Sequence, residues 1–213
     1  MSKVSEYTAL AKGMVGVGFR YPTVALYNGD GAMGTHTAGR RLARGVKMSL
    51  DIQTAEDNVF YADDIAAESN ASRFSTGTMS LTVDGLLPDS ERMINGLPAE
   101  ESVPIGDKQI SVTRTGDDAV APNVGYGALR VYVSNGQELF RYVILPKVCF
   151  RQAGFDAETR TKEVNYQTQD LTADIMRIDS GKHDWRWIGA LYTTAEEALA
   201  DMDAILAVAG GKA

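Results

Sequence analysis

The sequence predicts a mainly β protein, a β-sandwich or barrel with a short flanking helix and a C-terminal amphipathic helix. Three observations carry this. Val46, Met48, Leu50 and Ile52 alternate with Lys47, Ser49, Asp51 and Gln53, the period of a strand with one buried face. Two β-rich runs flank Asn135-Gly136, the preferred pair for a two-residue hairpin turn. After Thr193 the apolar spacing changes to three and four residues, at Ala198, Leu199, Met202, Ile205 and Leu206. With 213 residues, one domain over 1–213 is expected, large enough to bury a core.

The elements follow in order. Phe19 to Tyr27 is aromatic and β-branched, and Pro22 predicts an edge position or a bulge. Asn28 to Gly45 reads as a Gly-rich connection ending in a basic cluster, Arg40, Arg41 and Arg44. After the alternating strand, 57–76 is small, polar and acidic and reads as a long loop. Met79, Leu81 and Val83 alternate with Ser80, Thr82 and Asp84 as a further strand. Pro88, Asp89, Glu91 and Gly96 mark the start, the acidic first turn and the stop of a short helix. A short strand is expected within Gln109 to Arg114. In the Asn135-Gly136 hairpin, pairing Ser134 with Gln137 sets Val131 against Phe140 and Leu129 against Tyr142. Val164 to Ile178 shifts its apolar phase, which predicts a bulge. The last helix, within 193–209, is capped by Thr193 or Thr194 with Glu196 or Glu197, and Gly210-Gly211 ends it.

Composition narrows the function classes. The formal net charge is −7, whereas proteins that grip nucleic acid by its phosphates carry a basic excess. No apolar run approaches the ~18 residues of a membrane span, and the N-terminus has no secretion-signal pattern. The one cysteine, Cys149, sits in an apolar run and reads as an inert, core-facing thiol suited to a reducing cytoplasm.

The sequence carries no catalytic constellation, so no enzyme activity, cofactor or metal is expected. Gly29-Asp30-Gly31-Ala32-Met33-Gly34 matches a dinucleotide fingerprint, with Asp51 about twenty residues on. That chemistry needs a helix N-terminus at the last glycine, and 35–44 lacks an apolar stripe. His36 and His183 lack a His or Cys at metal-ligand spacing, and read as surface or structural residues. Asp63-Asp64 and Asp117-Asp118 read as solvated turn residues. Trp185 and Trp187 flank Arg186 at alternate positions and read as one strand face on the core, ahead of a nucleic-acid stacking platform.

Several segments recur in a familiar order. Val17-Gly18-Phe19-Arg20 leads into Val24-Ala25-Leu26-Tyr27, and Gly45 to Asp51 precedes Phe60-Tyr61-Ala62-Asp63-Asp64. Arg160-Thr161-Lys162 precedes Val164-Asn165-Tyr166-Gln167-Thr168. From about Gly16 to Ile178 this order resembles the major tail tube proteins of siphovirus bacteriophages and prophages. The resemblance implies a structural virion protein with a β-sandwich of the tail tube type. Hexameric rings would stack into the tube that conducts DNA into the host. It also implies an N-terminal arm over 1–15 and a stacking loop over 57–76. Partners would be further copies of the chain, tape measure protein, tail terminator and distal tail proteins. DNA would meet the chain only in transit, and no membrane would be involved. Assembly in the host cytoplasm and residence in the virion tail follow. The alternatives are a baseplate or tail-completion protein of the same fold, or a dinucleotide-binding enzyme. Under the tube reading, Asp51 and Asp84 face the lumen, and Phe60, Tyr61, Asp63, Asp64 and Phe74 belong to the ring-stacking loop.

Overall fold

The computed structural model describes residues 3–4, 13–29, 36–55, 59–62, 65–69, 73–117, 119–152, 154, 167–178 and 182–209. In chain order the elements are β1 (Lys3–Val4), β2 (Val15–Tyr27), β3 (His36–Arg41), β4 (Gly45–Thr54), β5 (Val59–Ala62), β6 (Ile65–Ser69) and β7 (Phe74–Val83). Then come α1 (Pro88–Asn95), β8 (Glu101–Ile105), β9 (Lys108–Val112), β10 (Asn123–Ser134) and β11 (Gln137–Phe150). β12 (Gln169–Ile175), β13 (Trp187–Ile188), β14 (Leu191–Tyr192) and α2 (Ala195–Ile205) complete the chain.

The Asn135-Gly136 hairpin is the spine of the sheet. Ser134 pairs with Gln137, Val131 with Phe140 and Leu129 with Tyr142, the register expected from sequence. Asn135 and Gly136 both lie in the left-handed region, at φ 49° and 77°, as a type I′ turn requires. The main antiparallel path runs β3-β2-β10-β11-β12-β7-β4. Its far strands come back together: a Cβ on Gly45 in β4 would lie 2.4 Å from the Phe19 ring of β2. The protein is therefore mainly β, with the curled sheet of a β-sandwich. The inner faces of β2, β7, β10, β11 and β12 share one core around Val24, Leu81, Tyr126, Phe150 and Leu171, with Ile94 of α1 added.

The flanking helix matches expectation: Pro88 opens it, and Gly96 ends it at φ 63°. Pro22 sits at a bulge, just before β3 begins to cover β2 at Thr23. β2 lies between β3 and β10, and its register with β10 shifts between Thr23 and Arg20, beside Tyr21 at φ 58°. Val46, expected inside, is 57% exposed, because the β4–β7 register slips between Gly45 and Lys47 and leaves it as the extra residue.

Three loop assignments are corrected. The connection Asn28–Gly45 contains strand β3, whose polar sequence His36-Thr37-Ala38-Gly39-Arg40-Arg41 hid it from periodicity. The segment 57–76 contains the hairpin β5–β6, and its last residues already belong to β7. In the Gly-punctuated stretch after α1, β8 and β9 form a hairpin where one strand was expected. The phase shift expected between Val164 and Leu171 begins outside the described residues.

The C-terminal helix packs on the opposite face of the sheet, where Leu199, Met202 and Leu206 meet Ala25, Leu129, Val131 and Ile144. Thr194 takes the N-cap position without a side-chain cap hydrogen bond. The helix ends at Ile205, short of Gly210-Gly211, and Ala207 turns left-handed at φ 50°. The chain then bridges β3 at Gly39, where a Cβ would stand 2.1 Å from the Leu206 carbonyl oxygen. Only glycine permits that approach.

His36 is buried beneath this helix. Its Nε2 lies 2.8 Å from the Pro146 carbonyl oxygen, and its ring meets Trp187 edge-on. Burial pushes its pKa below the ordinary 6.5, against the hydrogen bond to the Pro146 carbonyl. The folded value lies below the unfolded one, so His36 contributes full stability above 6.5 and loses it as pH falls toward the folded value. The urea midpoint should fall between about pH 7.5 and pH 5. A His36→Gln variant should show a flatter profile in that window; an equal slope would assign the loss to other groups.

Candidate assembly surface

The outer face of β4, β7 and β12 is built by strict alternation. Met48, Leu50, Met79, Leu81, Leu171 and Ala173 turn inward, so their neighbours turn outward. The registers align the outward residues in rows: Lys47, Thr82 and Asp170; Ser49, Ser80 and Thr172; Asp51, Thr78 and Asp174; Gln53 and Thr76. This face is rich in hydroxyl groups. Threonine suits it because its β-branch favours the strand while its oxygen meets water.

The carboxylates on this face are held in place. Gln53 Nε2 lies 3.2 and 3.3 Å from the Asp51 oxygens. Thr82 Oγ1 donates to Asp170 at 2.6 Å, and Arg151 forks onto Asp174 at 2.7 and 3.2 Å. Three carboxylates thus face Lys47 and Arg151, giving a weakly acidic wall. β4 is the last strand of the main path, and among the described residues its outer edge pairs with no strand. An unpaired edge of this length is a template for a further strand.

Asp51 lies on this face, exposed, as the alternation predicts. Asp84 does not belong to it. It follows the end of β7, and its carboxylate clasps Arg44, whose backbone N–H donates to it at 3.0 Å and whose Nε also donates. Partial desolvation raises its pKa, but the hydrogen bonds and charge of Arg44 outweigh this and hold it below the ordinary range. Asp84 therefore pins the turn before β4 to the turn after β7, and its expected place beside Asp51 on the polar face of the strand is corrected.

Phe74 opens β7 and stacks on Trp185, with ring centroids 4.7 Å apart, so it already has a partner inside the subunit. Phe60 and Tyr61 lie in β5 of the separate hairpin. Asp63 and Asp64 lie outside the described residues. Asp170 and Asp174 were missed as wall residues. The alternation of Leu171, Ala173 and Ile175 is visible in the sequence, and the face complementary to it is the signal that marks Asp170 and Asp174.

The basic cluster is divided among separate carboxylates. Arg40 lies 3.8 Å from Asp89, Arg41 forks onto Asp203 at 2.6 and 2.8 Å, and Arg44 takes Asp84. The glycine fingerprint leads into β3, where a dinucleotide fold requires a helix. Trp185 and Trp187 pack on different clusters, since only Trp187 lies in a strand, which corrects the single-face reading. Cys149 is half-buried, and desolvation, with the Asp174 charge, pushes its thiol pKa up, away from nucleophilic use. His183 is exposed. Among the described residues, no group of three His, Cys, Asp or Glu side chains could hold a metal ion. No helix among them is long and apolar enough to cross a membrane.

Compared with known proteins, the chain matches no family model and no curated sequence.

Proposed function

We propose that this chain is a structural subunit of a phage tail tube, forming hexameric rings that stack around a lumen for DNA. The observation that carries this reading is the hydroxyl-rich, weakly acidic face of β4, β7 and β12 beside the open edge of β4. A strand edge left open at a polar wall suits a sheet continued by a neighbouring subunit into a closed barrel. A wall of hydroxyls and carboxylates suits passing DNA, because a basic wall would bind phosphates by releasing their counterions. The sequence likeness to siphovirus tail tube proteins supports the same reading. It supplies the expected partners, namely further copies, tape measure protein, tail terminator and distal tail proteins. The reading makes the protein non-enzymatic, with DNA only in transit and the virion tail as its residence.

The test is negative-stain microscopy of the chain with phage initiator proteins, combined with Asp51→Lys. Rings and tubes are expected from both forms. The substitution should shift subunit stability by no more than ~0.5 kcal/mol, since Asp51 is exposed. Repeated around each ring, the new charges should slow DNA ejection, most at low ionic strength where screening is weakest. A chain that stays monomeric with initiator present overturns the tube reading. Tubes whose ejection at low salt is unchanged remove Asp51 from the lumen wall.

A further inference from the structure

A cleft of ≈ 470 Å³ opens where β2 and β4 diverge. Its floor is the inner face of the sheet beyond the core, and Phe19, Met48 and Leu50 supply apolar walls. Arg130, Arg141 and Arg186 also line it, and among the described residues no carboxylate does. In a chain with 28 acidic and 21 basic residues, that exclusion is specific to this place.

Arg130 of β10 pairs across the ladder with Arg141 of β11, so both side chains rise from the same face. Arg141 Nε is fixed by the Gly189 carbonyl at 2.7 Å, while Arg130 and Arg186 rest on the rings of Tyr132 and Trp185. The Arg130 guanidinium extends toward β2, where a Cβ built on Gly16 would lie 3.8 Å from its Nη2. Gly16 and Gly18 thus leave this charge reachable from the strand edge.

That edge is open. β3 pairs with β2 only from Thr23 to Tyr27, so on that flank 15–20 pairs with no strand among the described residues. Val15 and Val17 are 66% and 55% exposed there. An open edge, apolar walls and clustered guanidinium groups meet at one place.

We propose that the edge of β2 over Val15–Arg20 is a docking site for an extended acidic polypeptide segment. Its backbone adds as a strand to β2, and carboxylates on alternate residues reach over Gly16 and Gly18 to Arg130 and Arg186. Strand addition supplies affinity through main-chain hydrogen bonds, and the alternate side chains supply selectivity. Charge-assisted, forked guanidinium–carboxylate bonds fit this geometry, while the open edge and apolar walls fit a peptide better than a nucleic acid. The site goes beyond the tube reading: β4 lends Met48 and Leu50 to its wall, but the docking edge belongs to β2 and the guanidinium groups to the inner face, not to the outer face or edge of β4.

The test uses the full chain and a fluorescein-labelled peptide of alternating glutamate and valine, read by anisotropy and by backbone hydrogen exchange. Binding that weakens with salt and new protection of the amides of residues 15–20 are expected. Arg130→Glu with Arg186→Glu should weaken binding at least ten-fold with an unchanged circular dichroism spectrum; Arg130→Gln, which removes the charge and keeps a polar amide, should weaken it several-fold. A lysine–valine peptide should not bind. Absence of binding at millimolar peptide, protection confined to another strand, affinity indifferent to both charge changes, or preference for a single-stranded oligonucleotide would each overturn the proposal.

Discussion

Met202→Asp is expected to cost about 3–5 kcal/mol and to lift the C-terminal helix from the sheet. Met202 is fully buried among the residues that join α2 to β2, β10 and β11. A Cβ on Gly127 would lie 3.1 Å from its sulfur, so the fit on the sheet side is already close. A carboxylate placed there has no cation within its apolar surroundings, and Asp203 beside it adds like charge. Arg41 is already committed to Asp203 by two hydrogen bonds and cannot serve both. Urea unfolding should show the loss as a lower midpoint. Met202→Leu, which keeps volume and polarity, should stay within ~1.5 kcal/mol. If the aspartate variant unfolds within 1 kcal/mol of the parent, α2 is not held by this face (roughly the resolution of such measurements).

The second large effect is on assembly. Deleting the hairpin from Val59 to Ser69 and closing the chain with a short glycine–serine linker should leave the subunit folded and abolish tubes. Among the described residues β5 and β6 pair only with each other and form a sheet separate from the main path, so their removal breaks no described ladder of the main sheet. An isolated two-stranded hairpin is marginal in water. Its retention makes sense if another subunit completes its packing, which is the stacking role assigned to this segment under the tube reading. Circular dichroism and the urea midpoint should be close to those of the parent, while microscopy with initiator proteins should show no tubes longer than single rings. Normal tubes from the deletion would remove the hairpin from stacking. Loss of folding would show that the hairpin supports its own subunit.

The sequence by itself determined the parts governed by local physics. The Asn135-Gly136 turn fixed a hairpin register to the residue, because only left-handed residues fit a type I′ turn and the flanking strands then have one pairing. Alternation fixed which faces of β4 and β7 turn inward, and so placed Asp51 outside. Proline and glycine fixed the limits of α1. Tertiary structure decided what depends on partners distant in sequence. β3 is a strand because β2 offers it a ladder and the chain after α2 covers it, although its own residues show no period. Val46 was turned out by a slip in register that no alternation of its own reveals. Asp84 became a clasp because the turn carrying Arg44 lies beside it, forty residues away. The third strand of the polar wall, with Asp170 and Asp174, joined Asp51 only through pairing with β7. The arginine cleft likewise exists only where β10, β11 and the segment at Arg186 converge, because charges far apart in the chain acquire a common field only when the sheet brings them together.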